Sequence, residues 1–209
     1  MKLSKFNESG RSMVEMLGVL AIIGILSVGA IAGYSKAMMK YKLNKQTEQI
    51  GSILDYVGIH LDDLKRSKTT TTGNLKTLLT DLNVIPKEMI RATGEEGFIY
   101  DVFNTPVYIQ NYYQEPTYFL EIQLYIDKNT NEPCINLFQL AKAKSDMLYT
   151  TKINYSQDST ISSANRIYGD AYCSDSNECL KDFTLTEAEE YCNICNDKDR
   201  CLFYFVLRL

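Results

Sequence analysis

The chain has 209 residues, of which 45% are hydrophobic, and a formal net charge of -4 at pH 7. This length fits one globular domain together with a further segment. The acidic balance argues against general affinity for nucleic acids, because nucleic-acid-binding proteins present a basic surface to the phosphate backbone.

The order of polar and apolar residues at the N-terminus is unlike that of a secretory signal. A short polar stretch ends at Gly10, and an uncharged apolar stretch runs from Met16 to Ser35, with Glu15 immediately before it. About 20 helical residues cover the hydrocarbon core of a bilayer, so this stretch is long enough to cross a membrane. A secretory signal has its apolar region before the cleavage point, whereas Gly10 precedes the apolar region here.

These features resemble the N-terminus of type IV prepilins and pseudopilins. The matching elements are Gly10, Glu15 five residues later, and the apolar helix over Met16–Tyr34. The resemblance implies cleavage between Gly10 and Arg11 by a prepilin peptidase, N-methylation of the new N-terminus, and packing of the helices in a filament core. Arg11 departs from the family, which usually has Phe or Met after the cleavage point, and Ala32 stands where the family often has proline.

Glu15 has two interpretations. A carboxylate in the first turn of a helix interacts favourably with the helix dipole. A charge inside a membrane anchor is costly, however, so the alternative is that Glu15 pairs with the α-amine of Arg11 on a neighbouring subunit. The two charges would then neutralise each other only on assembly, which specifies register. The Arg11 side chain, four residues before Glu15, competes for the same carboxylate.

Small residues are frequent in the apolar stretch. Gly29 and Gly33 form a G-x-x-x-G pair, and Gly24 matches a glycine common at that distance from the cleavage point in the family. Small residues allow close approach of helices in lipid or in a dry filament core, so we predict that these three glycines pack against other helices. Ordinary membrane-helix composition is the alternative explanation.

The same helix is predicted to continue beyond the membrane to about Arg66. Its apolar stripe has helical spacing and consists of Ile50, Ile53, Leu54, Val57, Leu61 and Leu64. His60, the only histidine, lies beside the stripe and is assigned a packing or surface role. Four lysines follow the apolar stretch, namely Lys36, Lys40, Lys42 and Lys45. They conflict with the positive-inside rule if the body is translocated, and we give the basic leader precedence in setting orientation.

The remaining sequence predicts alternating helices and strands. The Thr69–Thr72 run and Gly73 end the long helix, and Leu75, Leu78, Leu79 and Leu82 predict a small helix ended by Pro86. Strands are predicted at 107–111, 117–126, Tyr149–Tyr155 and Cys201–Leu207, with Leu120, Ile122, Leu124 and Ile126 facing the core. Short helices are predicted from Pro133 and from a capping box at Thr186–Glu189 to about Cys195.

Six cysteines lie far beyond the apolar stretch, which indicates disulfides in a translocated domain. Cys173 and Cys179, like Cys195 and Cys201, enclose five polar residues each. Local closure of both loops leaves Cys134 to pair with Cys192, the simplest of the 15 connectivities that six cysteines allow.

Two metal-binding alternatives compete with this interpretation of the C-terminal region. A zinc site would use Cys173, Cys179, Cys192 and Cys195, although only one C-x-x-C pair has the usual spacing. A calcium site would use Asp175, Asn177 and Glu178, or Asp197 and Asp199. Because acidic loops are usually only solvated, we predict no metal and no other cofactor.

These elements predict an α+β, pilin-like fold, in which a long N-terminal helix packs on an antiparallel β-sheet with short helices. The predicted domains are a leader (1–10), a transmembrane or filament-core helix (11–35), its amphipathic half (36–66) and a disulfide-rich globular body (67–209). The small helix after the first resembles the bundle-forming, type IVb branch of the family.

The resemblance implies a structural subunit of a type IV pilus or related filament rather than an enzyme. Its expected partners are a prepilin peptidase, other pilin subunits in a homopolymer or mixed filament, an inner-membrane assembly platform with a motor ATPase, and membrane lipid before assembly. No direct nucleic-acid binding is predicted. The expected location is the bacterial inner membrane with the body in the periplasm, and then an extracellular pilus or a periplasmic pseudopilus. The alternatives are a minor pilin, a secretion pseudopilin, or a monomeric membrane-anchored adhesin.

Overall fold

The structure, a computed structural model, describes residues 13–66, 73–92, 96–127, 130–158, 160–164 and 166–209. The chain divides into two compact units, residues 1–41 and 42–209. A single helix, α1 (Met13–Ile59), contributes to both. The fold class is α+β, as predicted: a long, apolar N-terminal helix is followed by an antiparallel sheet and short helices.

The first unit consists, in its described part, of the N-terminal portion of α1. No proline interrupts this portion, and its residues from Met16 to Ser35 carry no charge. The second unit contains the remainder of α1, whose buried side chains include Ile50, Ile53, Leu54 and Val57. The predicted apolar stripe therefore forms one wall of the core of the body.

Helix α1 ends earlier than the sequence predicts. It stops at Ile59, and a separate helix, α2 (Leu61–Arg66), follows after His60. The backbone N–H of His60 donates to the Tyr56 carbonyl, and its ring Nδ1 lies 2.9 Å from the same oxygen. The imidazole also stacks on the Tyr56 ring with 4.1 Å between centroids. Local packing of the histidine thus accompanies the interruption of the helix.

The second unit contains eight strands and four shorter helices among its described residues. The strands are β1 (Gly73–Asn74), β2 (Phe98–Tyr100), β3 (Pro106–Gln114), β4 (Thr117–Tyr125), β5 (Thr150–Gln157), β6 (Thr160–Ser163), β7 (Ile167–Tyr168) and β8 (Arg200–Arg208). The helices after α2 are α3 (Lys76–Asp81), α4 (Glu132–Ala143) and α5 (Leu185–Asn193). Single turns of 3-10 helix occur at Lys87–Met89 and Asp170–Tyr172.

The strands form one antiparallel sheet in the order β1-β3-β4-β8-β5-β6, with β2 paired to β3 and β7 to β5. The C-terminal strand β8 lies between β4 and β5, so the last residues of the chain complete the centre of the sheet. Ile122 of β4 is opposite Phe205, and Leu124 is opposite Phe203. These side chains join the α1 stripe in the main hydrophobic core.

The alternation predicted for β4 is confirmed on its core face but incomplete on the other. Leu120, Ile122 and Leu124 are fully buried, yet Phe119 and Glu121 on the opposite face are also buried. Cross-strand neighbours cover that face: the ring of Phe119 contacts those of Tyr112 and Tyr149. A second cluster on this face joins Phe119, Tyr204 and Val206, with Tyr112, Tyr149 and Leu202 packed against it. Strand pairing brings these aromatic residues together from distant parts of the chain, which strand periodicity alone does not indicate.

Glu121 is held within this second apolar face by polar neighbours. Its carboxylate accepts hydrogen bonds from the amides of Gln110 (3.2 Å) and Gln123 (3.1 Å) and lies 3.8 Å from the ammonium of Lys152. Burial lowers the pKa of Lys152, and burial raises the pKa of Tyr112, which lies beside the same carboxylate. Lys152 and the two glutamine amides therefore compensate for burial of the charged Glu121 carboxylate on this face of the sheet.

The predicted small helix before Pro86 is shorter than its leucine spacing indicates. Helix α3 ends at Asp81, and only Leu79 of its predicted apolar face is buried, while Leu78 and Leu82 are about half exposed. Asn83 adopts a left-handed conformation, with φ of 54°, which turns the chain out of the helix before the proline is reached.

Helix α5 begins at a different threonine from the one predicted. Thr184, not Thr186, is the N-cap, and the backbone N–H of Glu187 donates to its side-chain oxygen. The Glu187 carboxylate in turn accepts from the Thr184 backbone N–H at 2.6 Å. Both threonines are followed by glutamate three residues later. Only Thr184 also has the pair of apolar residues that commonly flanks an N-cap, with Phe183 before it and Ala188 at the fourth helical position, and both are buried.

Candidate functional site: the exposed half of helix α1

The portion of α1 in the first unit exposes an apolar surface on all sides. Every large apolar side chain from Met13 to Tyr34 is more than half exposed: Met13, Val14, Met16, Leu17, Val19, Leu20, Ile22, Ile23, Ile25, Leu26, Val28, Ile31 and Tyr34. By length and composition α1 is the one described helix able to cross a membrane. A soluble protein rarely leaves so large a continuous apolar surface in water, so this half of α1 is a surface that another phase or another protein covers.

Glu15 lies in the first turn of α1, and its side chain is exposed. It is the only acid in α1 before Glu48. Gly10 and Arg11 lie outside the described residues, so cleavage at that bond and pairing of Glu15 with the Arg11 α-amine stay predictions. The arrangement places one carboxylate at the end of a surface that is otherwise apolar for about 30 Å.

The predicted packing glycines Gly24, Gly29 and Gly33, together with Gly18, are open on the surface of α1. Within the described part of the chain, no heavy atom outside the local helix lies within 4 Å of a Cβ built at any of them. Each glycine makes a helix less stable than alanine by about 1 kcal/mol. Packing against the described residues does not compensate for this cost, and the glycine surface is open for contacts with other helices.

The three predicted cysteine pairs are all at disulfide distance. Cys134 of α4 joins Cys192 of α5 with a Cα separation of 5.9 Å, whereas Cys173–Cys179 and Cys195–Cys201 each close a local loop. The first pair forms where α4 and α5 pack on each other, with the rings of Phe138 in α4 and Tyr191 in α5 5.8 Å apart.

The cysteines and two of the carboxylates of the alternative metal sites have other partners in the structure. All six cysteine sulfurs are in disulfides, including those of Cys173 and Cys179, which approach Asp182. Glu178 accepts a hydrogen bond from the Tyr191 hydroxyl at 2.6 Å. Asp199 accepts from the Asp158 backbone N–H at 3.0 Å.

A buried polar junction that sequence reasoning missed holds α1 in the body. Gln46 and Gln49 of α1 are both almost fully buried, as is Asp101 in the turn before β3. Gln46 donates to Asp101 at 2.9 Å, and Gln49 accepts from the Val102 backbone N–H at 2.9 Å. Asn136 of α4 donates to the Gln46 amide oxygen at 3.0 Å. The available signal was the pair of glutamines one turn apart, at the beginning of the apolar stripe.

Comparisons of the chain with protein-family models, with characterised proteins and with solved structures give no match.

Proposed function

We propose that this chain is a type IV pilin-like subunit, made as a prepilin and polymerised through the N-terminal half of α1. The observation that carries the proposal is the combination in one helix of an exposed apolar surface, Glu15 at its first turn, and a C-terminal portion buried in a globular body. A bilayer covers the apolar surface before assembly, and helices of neighbouring subunits cover it afterwards.

Assembly gives Glu15 a role that membrane anchoring alone does not provide. A carboxylate near the bilayer costs free energy, and an uncharged residue would anchor the chain at lower cost. Cleavage between Gly10 and Arg11 creates an α-amine, and its pairing with Glu15 of a neighbouring subunit removes both unpaired charges on polymerisation. The same contact fixes the stagger between neighbouring helices.

The proposal places the subunit in the bacterial inner membrane with its body in the periplasm. Three disulfides support an oxidising compartment for the body, since cytosolic proteins rarely retain them. A prepilin peptidase then removes residues 1–10, and an assembly platform with a cytoplasmic motor ATPase moves the subunit into a pilus or pseudopilus. Minor pilins and pseudopilins have the same anchor and differ in copy number.

Intact-mass measurement of the protein purified from membranes tests the proposal. We expect the mass to correspond to a chain that begins at Arg11, in cells that contain a prepilin peptidase. Gly10→Val should block processing because a β-branched side chain does not fit where the peptidase accepts glycine. Full-length protein in the wild-type membranes would show that the chain is not a prepilin.

A further inference from the structure

We propose that Lys36 and Lys40 form a binding site for the phosphate groups of anionic phospholipids. We call these two lysines the membrane-surface patch. The inference rests on the proposed function in one respect, namely that the apolar half of α1 spans a bilayer before assembly. It adds a class of ligand, the anionic lipid headgroup. It also gives a role to Lys36 and Lys40, which are not needed for membrane anchoring itself.

The distance along the helix places the patch at the headgroup layer. The uncharged stretch from Met16 to Ser35 is about 30 Å long, which equals the thickness of a hydrocarbon core. Lys36 is therefore the first charge outside the core, and Lys40 lies about 6 Å further along the axis. The headgroup layer on each side of a bilayer is roughly 5–8 Å thick, so both ammonium groups can reach it.

The direction of helical side chains also favours this contact. Every Cα–Cβ bond of an α-helix tilts toward the helix N-terminus. Because the N-terminal half of α1 is the portion in the membrane, the stems of Lys36 and Lys40 point back toward the bilayer. Their apolar methylenes can lie along the core boundary while the ammonium groups reach the phosphates.

Two of the four lysines after the span have partners in the described part of the chain. Lys45 forms ion pairs with Glu48 and Glu88, each at 3.0 Å, and its pKa is raised by the Glu48 hydrogen bond and then by Glu88. Lys42 lies over the Phe103 ring, 5.6 Å from its centroid. Among the described residues, Lys36 and Lys40 form no ion pair, and both are exposed.

The charge and aromatic pattern selects an anionic membrane surface as the partner. Lys36 and Lys40 are one helical turn apart, about 40° apart around the axis, and no acidic residue occurs in α1 between Glu15 and Glu48. Tyr34 and Tyr41, at the same level of α1 but on another side of the helix, are 65% and 60% exposed, and tyrosines are enriched at membrane–water interfaces. Lysines on the translocated side of a membrane are contrary to the positive-inside rule. Attraction between these lysines and anionic headgroups offsets the cost of placing them there.

Native mass spectrometry of the full chain released from nanodiscs containing equal amounts of phosphatidylglycerol and phosphatidylcholine tests the patch. We expect the wild-type chain to retain phosphatidylglycerol preferentially at low salt. Lys36→Gln with Lys40→Gln should lower this preference, by roughly fivefold for each lysine removed. Lys36→Arg with Lys40→Arg should preserve it. The matched control, Lys87→Gln with Lys181→Gln, removes two exposed lysines from the body and should leave the preference unchanged.

The outcomes separate the patch from the proposed function. A membrane-embedded wild-type chain without preference for phosphatidylglycerol overturns the patch alone. A Lys36→Gln/Lys40→Gln chain that prefers phosphatidylglycerol as strongly as wild type also overturns the patch. If that variant in addition fails to form filaments, the lysines contact a neighbouring subunit instead. A chain that alkaline carbonate washes from membranes overturns both proposals, because α1 would then not span the bilayer.

Discussion

The side-chain amide of Gln46 in α1 donates a 2.9 Å hydrogen bond to the carboxylate of Asp101, which lies 55 residues away in the chain. The other carboxylate oxygen accepts from the backbone N–H groups of Phe103 and Thr105, each at 2.9 Å. A single buried carboxylate thus connects the helix to the turn that leads into strand β3. Gln46 lies four residues after Lys42, the first residue of the second unit.

Asp101→Ala should therefore destabilise the body. It leaves Gln46 and two backbone donors without their acceptor, at a cost of about 3 kcal/mol. Asp101→Asn retains an acceptor oxygen and should cost clearly less. Urea unfolding of the detergent-solubilised chain, followed by near-ultraviolet circular dichroism, measures both. Equal losses for Ala and Asn would indicate that the negative charge, not the acceptor geometry, provides the stabilisation.

The contact between Gln46 and Asp101 also illustrates which features of the fold can be predicted from the sequence and which cannot. The α1 stripe and strand β4 were predicted because their periodicity is local. Gln46 and Asp101 meet only through the tertiary fold, and neither residue type alone indicates a buried partner. The covered outer face of the sheet was missed for the same reason, since Phe119, Tyr204 and Val206 join one cluster only through strand pairing.

For the assembly site, the sequence was more informative than the structure of one chain. The residues Gly10, Arg11 and Glu15 predict processing and pairing, yet the partners we propose for them, a peptidase and another subunit, lie outside this chain. The structure adds that Gly24, Gly29 and Gly33 are open, which no sequence pattern establishes. At α5 the sequence pattern predicted the wrong threonine, and the structure identifies Thr184 as the N-cap, preceded by the buried Phe183.

Thr184→Ala should cost about 1 kcal/mol at neutral pH, the usual value for loss of an N-cap, whereas Thr186→Ala should have little effect. The hydrogen bonds from the Thr184 side chain and backbone lower the pKa of Glu187 from its ordinary value of 4.5. A lowered folded-state pKa means that the carboxylate contributes stability above pH 4.5 and loses it as the pH falls through the folded-state value. The difference in free energy of unfolding between Thr184→Ala and wild type should therefore narrow as the pH falls below 4.5 and through the folded-state pKa. Urea midpoints at pH 7 and pH 3.5 provide the measurement, and a larger cost for Thr186→Ala would contradict the assignment of the cap.

Removal of Cys134–Cys192 should destabilise the body more than removal of Cys173–Cys179. The sequence separations are 58 and 6 residues, which correspond to about 4 and about 2 kcal/mol in the chain-entropy model. The comparison uses paired Cys→Ala variants, so that no free thiol remains, and urea unfolding under oxidising conditions. Non-reducing peptide mapping of the wild type checks the pairing first. A peptide joining Cys173 to any cysteine other than Cys179 would contradict the local loops.

Glu15→Leu should leave membrane insertion intact and impair assembly. Leucine removes the cost of a charge near the bilayer, so the unassembled subunit should be retained in membranes at least as well as wild type. Glu15→Gln, which has nearly the same shape without the charge, should assemble as poorly as Glu15→Leu. Glu15→Asp should retain part of the wild-type filament yield. Immunoblotting of sheared filaments and of membranes measures the two pools. Normal filament yield for Glu15→Gln would mean that the charge has no role in pairing.

The open glycines distinguish a polymerising helix from a simple anchor. Gly24→Ala, Gly29→Ala and Gly33→Ala introduce methyl groups into open space, and each should stabilise the isolated helix by about 1 kcal/mol. A filament that requires close helix approach at these positions should nevertheless form less well, because the methyl groups separate the backbones. Gly51→Ala provides the control inside the body, where the new Cβ would lie 3.7 Å from Leu140 in an ordinary contact. We expect normal subunit levels in membranes for all four variants and reduced sheared filaments only for those in the exposed half of α1. If the combined Gly24, Gly29 and Gly33 variant forms filaments at wild-type levels, the glycines are ordinary membrane-helix composition and other residues of the apolar surface provide the packing.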